Sequence, residues 1–300
     1  MDWPFQAAQG EGSVPYLLRI LIIVYTNQYC DVKWNSSYSE RFTVSYGVRQ
    51  GAVSSPLLFS IYIDGLITLL RRSGIGCQID TFYYGVLGYA DDLLLLSASR
   101  SGLQAMVSIC ERFAKVRKLK FSTNVDPVKS KTKCVVFSKV KKARENVAPI
   151  ILNGDPLPWV DRVKHLGNML ESDNSMRADC LAKRGAFIGK VNSLLQEFCT
   201  VDHSVMVKLL RTYVTSFYGS NLWDVYSPEV TRIFSSWNVT IRNVFNLPWT
   251  THRYFIEAVS GTSHPKAMLC SRLVKFWEGL RTYKKGSVRY LVSLVHDDRR

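Results

Sequence analysis

The sequence is short of negative charge. It has 24 Asp and Glu residues against 39 Lys and Arg, which gives a formal net charge of +15 and an isoelectric point near 9.5. A balance of this sign favours polyanionic partners, because Lys and Arg neutralise phosphate groups and release their counterions. A basic protein with no nucleic-acid partner has the same balance, so charge alone separates the two interpretations weakly.

The sequence also lacks the paired cysteine spacing of zinc sites. The cysteines are odd in number and scattered, and the histidines are equally dispersed. No Ser, Cys or His constellation of the kind used in nucleophilic catalysis is present. We therefore predict that the thiols are reduced and mostly buried. The residues concerned are Cys30, Cys77, Cys110, Cys134, Cys180, Cys199 and Cys270, with His165, His203, His252, His264 and His296.

Long apolar runs are missing as well. The most apolar stretch near the start, Leu17–Tyr25, is too short to span a bilayer and is interrupted by Arg19. Asp2 and Glu11 precede it, where a secretory signal would carry basic residues. The sequence therefore predicts a protein without a membrane span, located inside the cell in the cytoplasm or the nucleus.

Apolar residues suffice for a large core, at 47% of the chain with 12% aromatic. After a loose leader over 1–13, helical and strand-like stretches mix up to 171, and helical patterns alone occupy 172–300. This order predicts an α+β domain followed by an all-α one. We expect helices over 16–28, 56–72 and 101–117, the first capped by Ser13 with Pro15 in its first turn; a ribbon of 30–34 with 41–45; strands over 79–84 and 132–138; a tight hairpin at Asn153-Gly154; and helices over 174–199, 202–219, 229–246, 264–281 and 286–296.

The segment Gly88–Leu96, GYADDLLLL, sets two adjacent carboxylates, Asp91 and Asp92, at the mouth of an apolar run of strand length. Apolar residues on both sides predict strand, tight turn and strand in a buried sheet. Adjacent side chains on a regular strand point to opposite faces, but in a tight turn both can reach the same side. The turn is therefore what would make these two carboxylates partners.

Two like charges in an apolar setting raise each other's pKa unless a cation neutralises them. Carboxylates combined with waters and substrate phosphates are typical ligands of Mg²⁺. A pair of such ions supports phosphoryl or nucleotidyl transfer. The alternative is an ordinary solvated pair in a surface turn, where Asp is common, and the four-residue motif alone does not decide between the two.

Four motifs in order give the decisive pattern. GVRQG with SSPLLF comes first, YADD follows about forty residues later, then KLKFSTNVDPVKSKT and VKHLGNML. In this order they resemble the palm of reverse transcriptases of non-LTR (LINE-like) retrotransposons. The resemblance runs from about Val14 to the end of the chain, because SWNVTIRNVFNLP and THRYFIEAVSG look like sequence that follows the polymerase in such elements.

The resemblance implies roles for the YADD residues. Asp91 would be a ligand of both catalytic Mg²⁺ (or Mn²⁺) ions, and Asp92 would support it as a catalytic and metal-binding neighbour. Tyr89 and Ala90 would lie against the primer end. The fold implied is a partial polymerase palm, an antiparallel sheet with helices over 14–171, followed by an all-α thumb and C-terminal helical region over 172–300.

Nucleotide and template binding is implied for a second group. Arg49, Gln50 and Gly51 match the loop that lines the nucleotide and template pocket, where a guanidinium meets phosphate and glycine allows close approach. Lys129 matches the lysine that neutralises or protonates the pyrophosphate leaving group, and Lys131 is an alternative to it. An ordinary turn with a solvated arginine and a solvated run of lysines is the competing interpretation.

The turn Leu166-Gly167 corresponds to the one that supports the primer strand; alternatively its glycine only ends a strand. Basic and aromatic residues interleave along the tail, which in the family would be a thumb holding the primer-template duplex by its backbone. For Trp237 and Trp277 individually we favour a place in the core of a helical bundle.

Some family features are not found in this sequence. The family's site needs a further carboxylate on a strand upstream of the helix that begins near Pro15, and Asp2 sits too close to Pro15 to replace it. Fingers, an endonuclease and a zinc knuckle are not found either, and Ser54 stands where such elements usually carry leucine. We expect a fragment that is inactive alone.

The sequence thus predicts a fragment of an RNA-directed DNA polymerase. The complete enzyme would use an RNA template, a DNA primer and deoxynucleoside triphosphates, with no membrane. One alternative is a non-catalytic nucleic-acid-binding remnant of a retrotransposon protein. Another is a chain that never folds properly, because a sheet missing a strand exposes unpaired edges.

Overall fold

The computed structural model describes residues 15–44, 47–124, 126–284 and 286–297. The chain forms two compact units. The N-terminal unit comprises the described residues up to Thr132 together with Val147–Pro158, and the C-terminal unit comprises Lys133–Asn146 and the described residues from Trp159 onward. The expected leader and the Ser13 cap lie outside the described residues, and the domain boundary near 172 stays a prediction.

The N-terminal unit mixes three helices with five short strand pairs, as the sequence pattern predicts. Its strands are antiparallel and pair only in twos. The elements are α1 (Pro15–Thr26), β1 (Tyr29–Cys30), β2 (Lys33–Trp34), β3 (Ser37–Tyr38), β4 (Phe42–Thr43), α2 (Ser55–Arg72), β5 (Gln78–Ile79), β6 (Phe82–Tyr83), β7 (Val86–Tyr89), β8 (Asp92–Leu95), α3 (Arg100–Val116), β9 (Ile150–Leu152) and β10 (Asp155–Leu157).

Local sequence explains where these elements begin and turn. Pro56 lies in the first turn of α2, where its missing N–H is not needed. The Ser99 side chain accepts a hydrogen bond from the Gly102 N–H and caps α3. Asn153 and Gly154 have φ values of 56° and 86°, the left-handed pair of a type I′ turn between β9 and β10. The predicted hairpin at Asn153-Gly154 is confirmed.

One apolar cluster holds the N-terminal unit together. Leu66 and Leu70 of α2 and Met106 of α3 are fully buried, and Phe113 and Val86 pack with them. The periodicity that predicted a buried face on α3 is therefore confirmed. Because α2 also packs against β7, this core supports one strand of the YADD hairpin.

The C-terminal unit is a helical bundle preceded by one strand pair. A 3₁₀ turn at Lys141–Arg144 comes before β11 (Arg162–His165) and β12 (Asn168–Glu171). The helices are α4 (Arg177–Glu197), α5 (His203–Tyr213), α6 (Pro228–Val244), α7 (Arg253–Ser260), α8 (Pro265–Arg281) and α9 (Gly286–Asp297), with a 3₁₀ turn at Ser220–Leu222 between α5 and α6. No described helix is long and apolar enough to cross a bilayer.

The core of this bundle lies between α4, α5 and α6. Phe187 stacks on Phe217 with ring centroids 5.7 Å apart and lies 6.5 Å from Trp237. Trp237 is 3% exposed, so its predicted place in the core is confirmed. Trp277 is 36% exposed, and the prediction that it is a core residue is wrong, because it lies on the outer side of α8.

Several predicted elements differ from the observed ones. The expected strand over 132–138 is reduced to one isolated parallel bridge between Cys134 and Trp159. The Cys134 carbonyl accepts a hydrogen bond from the Val160 N–H, and the Ser138 N–H donates to the Ser172 carbonyl, but these two bonds do not form a continuous ladder. The helix predicted over 202–219 ends at Tyr213, since Phe217 and Gly219 adopt positive φ. Helix α7 was not expected, because eight residues give too short a periodic pattern.

The predictions for the two-stranded ribbon and for the burial of the cysteines are also only partly correct. β1 pairs with β4 as expected, but β2, at the end of the expected first strand, pairs with β3, which lies in the predicted loop. All seven cysteines are free, yet Cys30 and Cys199 are exposed, so the description "mostly buried" holds only for part of the set. Burial raises the pKa of the Cys110 thiol to about 12 and of the Cys134 thiol to about 11, which keeps both protonated.

His264 caps α8, and this contact makes the stability of the C-terminal unit depend on pH. Its Nδ1 accepts a hydrogen bond of 3.1 Å from the Lys266 N–H, and its ring meets the edge of Phe234 at 5.1 Å. Burial is the largest cause that lowers the pKa of His264, and the nearby Arg253 and Lys266 act in the same direction against Glu257. Only a neutral ring can accept at Nδ1.

We predict that the C-terminal unit loses stability as the pH falls below about 6.5. The unfolded histidine takes up a proton near that pH, whereas the folded one resists it, so protonation favours the unfolded chain. Urea titrations between pH 5 and 8 would measure this, with pH limits chosen around the ordinary histidine pKa of about 6.5. The His264→Asn variant keeps a capping side chain that does not titrate, so its stability should depend less on pH than that of the wild type. Identical pH profiles for the two proteins would contradict the assignment.

Candidate functional site

The YADD segment forms the two-residue turn of the hairpin β7–β8. Tyr89 pairs with Asp92, and Ala90-Asp91 joins them. Ala90 has a φ of 51°, in the left-handed region where a Cβ is unfavourable. Strand pairing and packing on the core therefore hold this turn against its local preference. The strand–turn–strand prediction is confirmed.

The hairpin is less buried than expected. Val86 is buried, and Leu93 and Leu95 pack partly into the core of α2 and α3, but Tyr89 is 66% exposed. The prediction of a buried sheet is wrong, because β7 and β8 pair only with each other in the described part of the chain. The tip of the hairpin lies at the surface of its unit.

Asp91 and Asp92 are both exposed at this tip. Within the described residues, neither carboxylate accepts a hydrogen bond or forms an ion pair, although the chain carries 39 cationic side chains. Their oxygens are hard donors, which suit Mg²⁺ or Mn²⁺. No group of three or more His, Cys, Asp or Glu side chains that could hold a metal ion exists among the described residues. The pair thus fits part of a divalent-metal site.

The loop carrying Arg49, Gln50 and Gly51 precedes α2. The Arg49 Nε donates to the Gln28 Oε1 at 3.3 Å, and the Arg49 carbonyl accepts from the Ser55 hydroxyl at 2.7 Å. Gly51 has a φ of 83°, and a Cβ there would meet open space, so the turn rather than crowding requires glycine. Arg49 and Gln50 are exposed.

Gln28 is a residue that sequence reasoning missed. It is 4% exposed, its backbone carbonyl accepts from the Val44 N–H, and its side chain orients the Arg49 guanidinium. A single glutamine after a helix gives no sequence signal for this contact, because its partner lies 21 residues away. The link fixes the position of Arg49 relative to α1 and β4.

Lys129 lies in a tight turn that Asp126 organises. The Asp126 carbonyl accepts from the Lys129 and Ser130 N–H groups, and its carboxylate accepts from the Val128 N–H. Lys129 and Lys131 are both exposed, so the choice between them stays open. No ion pair joins either lysine, or Arg49, to the aspartate pair among the described residues.

The Leu166-Gly167 turn belongs to the C-terminal unit. It joins β11 and β12, with φ values of 46° and 79°. Leucine is unfavourable at such a φ, whereas glycine is not. A Cβ on Gly167 would lie 3.2 Å from the Tyr218 ring, so glycine also leaves room for that ring.

A buried polar network fixes this second hairpin, and the sequence analysis missed it. The Lys183 ammonium lies 2.7 Å from both oxygens of Asp179 and 2.6 Å from the Asn168 Oδ1. Asp179 also accepts from the Met169 N–H at 3.0 Å and from the Trp223 indole N–H at 2.8 Å. The side chains of Asp179 and Lys183 are 8% and 14% exposed.

This network supplies a hydrogen-bond acceptor for a backbone N–H on the outer edge of β12. In the register of the hairpin, Met169 pairs with Lys164 at a position between the ladder hydrogen bonds, so its N–H points away from the partner strand. Asp179 accepts that N–H and thereby attaches β12 to α4. The spacing of four residues between Asp179 and Lys183 could have predicted an ion pair on a helix. The contact with Trp223 spans 44 residues, so no local sequence pattern predicts it.

A comparison with protein families gives the affiliation of the chain. A model described as reverse transcriptase (RNA-dependent DNA polymerase) matches residues 13–170, more than half of the 300 residues. The chain belongs to the reverse transcriptase family. Both hairpin turns and the Arg49 loop lie within the matched region.

Curated relatives of this chain come from R2 elements. A Pol polyprotein from the type-2 retrotransposable element R2DM of Drosophila melanogaster is 34% identical over 86 residues, which is 29% of this chain and 8% of that protein. Type-1 R2 Pol polyproteins of Nasonia vitripennis and Popillia japonica are 43% identical over 65 residues and 29% over 133. The predicted affiliation with non-LTR retrotransposons is confirmed.

The chain spans a small part of these relatives. It covers 6% of the Nasonia protein and 18% of the Popillia protein, and these matches take in 22% and 43% of the chain itself. Members of this family use an RNA template and a DNA primer, and their polymerases generally use divalent metal ions.

We predict that Lys183→Met destabilises the C-terminal unit by about 3 kcal/mol, because it leaves the buried Asp179 carboxylate without its cation. Urea unfolding would measure the change in free energy, and hydrogen exchange should show loss of protection at the Met169 amide. Arg177→Gln is the matched control: Arg177 also lies on α4, but its side chain is 67% exposed and lies 3.6 Å from the Glu229 carboxylate, so loss of this pair should cost at most about 1 kcal/mol. A Lys183→Met protein as stable as this control would contradict the prediction.

Proposed function

We propose that this chain supplies part of the catalytic centre of an RNA-directed DNA polymerase of a non-LTR retrotransposon. The reaction of the complete enzyme is attack of a primer 3′-hydroxyl on a deoxynucleoside triphosphate, with release of pyrophosphate. The observation that carries the proposal is the pair of adjacent, unpaired carboxylates on a strained hairpin turn inside the family match.

In this proposal Asp91 and Asp92 hold divalent metal, Mg²⁺ or Mn²⁺. The metal, when bound, activates the attacking hydroxyl and stabilises the leaving oxygen. The exposed tip leaves both carboxylates open to a ligand, and we propose that Tyr89 and Ala90 beside them contact the primer end. The described residues contribute two carboxylates to the centre, and a further one completes it.

Nucleotide and primer contacts extend the proposal to the other loops. Arg49, held by Gln28, presents a guanidinium for phosphate, with Gln50 and Gly51 beside it. Lys129, or Lys131 beside it, faces the leaving pyrophosphate. The Leu166-Gly167 turn supports the primer strand, and we propose that the helices from residue 172 onward form the thumb and the helical region that follows it.

We predict that Asp91→Asn abolishes primer extension. The assay uses poly(rA)/oligo(dT) with Mg²⁺ and compares the chain alone with the chain fused behind the polymerase segment that precedes the matched region in the Drosophila relative. We expect extension only by the fusion protein, and a loss of at least about 100-fold in its Asp91→Asn variant, because a neutral amide cannot replace a metal-binding carboxylate. Asp92→Asn should lose less.

Asp80→Asn provides a matched control. Asp80 is an exposed aspartate in the turn between β5 and β6, with a φ of 49°, so the same chemical change is made in a similar turn of the same unit. It should leave extension unchanged. Extension by Asp91→Asn at the level of this control would refute the catalytic assignment, and extension by the unfused chain would refute the requirement for a further carboxylate.

A second candidate function is nucleic-acid binding without chemistry, which the net charge of +15 favours. It predicts that association with RNA or DNA weakens steeply with salt and is indifferent to Asp91 and Asp92. Fluorescence anisotropy with a labelled oligonucleotide between 50 and 200 mM salt, about the range over which such affinities fall steeply, would measure this. Affinity that does not change with salt would reject it, and activity of the fusion protein would show that binding is not the whole function.

A further inference from the structure

The loop between α5 and the 3₁₀ turn at Ser220–Leu222 has an unusual backbone. Phe217 has a φ of 36°, although it is neither glycine nor asparagine, and Gly219 has a φ of 78°. The Arg272 guanidinium of α8 donates to the Ser216 carbonyl at 2.6 Å and to the Thr215 carbonyl at 3.2 Å. Tertiary contacts therefore impose this conformation, and strain of this kind concentrates at functional sites.

The strained backbone turns two neighbouring aromatic rings in opposite directions. Phe217 is 5% exposed and packs between Phe187 and Trp223, whereas Tyr218 is 64% exposed. The Tyr218 ring also lies against Gly167 of the β11–β12 turn. An exposed tyrosine on a fixed loop offers a flat surface at a small cost in conformational entropy.

Beside Tyr218 the same loop and α8 line an open groove with a volume of about 370 Å³. Arg272, Lys275 and Phe276 of α8 line one side, and the loop lines the other, with no acidic residue among the lining side chains. Lys275 is exposed and forms no ion pair with any described residue. The groove therefore combines a free cation with aromatic rings, and its volume is in the range of about 300–1,000 Å³ typical of ligand sites.

We propose that this groove binds single-stranded nucleic acid, with one unpaired base stacked on Tyr218 and its phosphate at Lys275. Aromatic rings recognise unpaired bases by stacking, and cations beside them track the backbone. A duplex fits this chemistry less well, because its bases are paired and stacked on one another and their faces are not free to stack on Tyr218. The proposal rests on the proposed function in one respect: the Tyr218 ring lies against Gly167, in the turn where we place the primer contact.

Photo-crosslinking tests the site directly. A single-stranded RNA oligonucleotide carrying 5-bromouracil is irradiated with the purified chain, and the crosslinked peptide is identified by mass spectrometry. We expect the crosslink on Tyr218, and we expect an unlabelled single strand to compete better than a duplex of the same length. A crosslink elsewhere on the chain, or equal competition by the duplex, would overturn the proposal.

Affinity measurements on variants complete the test. Tyr218→Ala should weaken binding of the oligonucleotide about tenfold, the typical effect of losing one base stack, while Tyr218→Phe should retain it. Lys275→Gln should weaken binding. It should also reduce the slope of log affinity against log salt concentration by the amount expected for about one phosphate contact. Tyr254→Ala is the matched control, because Tyr254 is 65% exposed in the same unit and does not line the groove.

The outcomes separate this proposal from the polymerase assignment. Loss of the crosslink and of affinity in Tyr218→Ala would support the groove whether or not the fusion protein extends a primer. Circular dichroism and thermal unfolding check that Tyr218→Ala folds, and Lys275→Gln tests the same groove through a side chain that forms no ion pair with the described residues. Wild-type affinity in folded Tyr218→Ala and Lys275→Gln would refute the groove, even if polymerisation were observed.

Discussion

The two-residue turn that joins two short antiparallel strands is the constraint on which both candidate sites depend. In the N-terminal unit it carries Ala90-Asp91, and in the C-terminal unit Leu166-Gly167. Neither turn uses the Asn-Gly pair that would form it spontaneously, as Asn153-Gly154 does. Each is therefore imposed by packing: β7 lies on α2, and β12 is attached to α4. The positions of the candidate functional residues follow from these helix–strand contacts.

In the C-terminal unit, the buried charges of Asp179 and Lys183 attach β12 to α4. A buried lysine beside a buried aspartate is not a strong source of stability by itself, because desolvation offsets the attraction. Here Asp179 also satisfies the Met169 N–H and the Trp223 indole, so one carboxylate connects a strand edge, a helix and the loop before α6. The network thus specifies the arrangement of the hairpin more than it stabilises the bundle, and Arg272 does the same for the loop of Tyr218.

Local patterns predicted the elements, and tertiary contacts decided what the patterns left out. The buried face of α3, the hairpin at Asn153-Gly154 and the YADD turn follow from periodicity and turn chemistry, and the ordered motifs gave the family. The same patterns could not show that the strand over 132–138 lacks a ladder, or that Gln28 holds Arg49, because partners far apart in sequence determine both. The sequence predicts a helix through the Tyr218 loop, because contacts with residues far along the chain, such as Arg272, impose its backbone conformation.

Backbone strain connects the three candidate sites. The described residues include ten non-glycine positions with positive φ, and six of them are Asn or Asp, which tolerate that region. The others are Ala90, Lys118, Leu166 and Phe217. Lys118 follows the end of α3, a common place for a left-handed residue. The remaining three lie at the aspartate pair, at the proposed primer turn and at the Tyr218 groove. Proteins break local rules where function requires a fixed geometry, so the strain at each of these three positions is one reason for proposing it as a functional position.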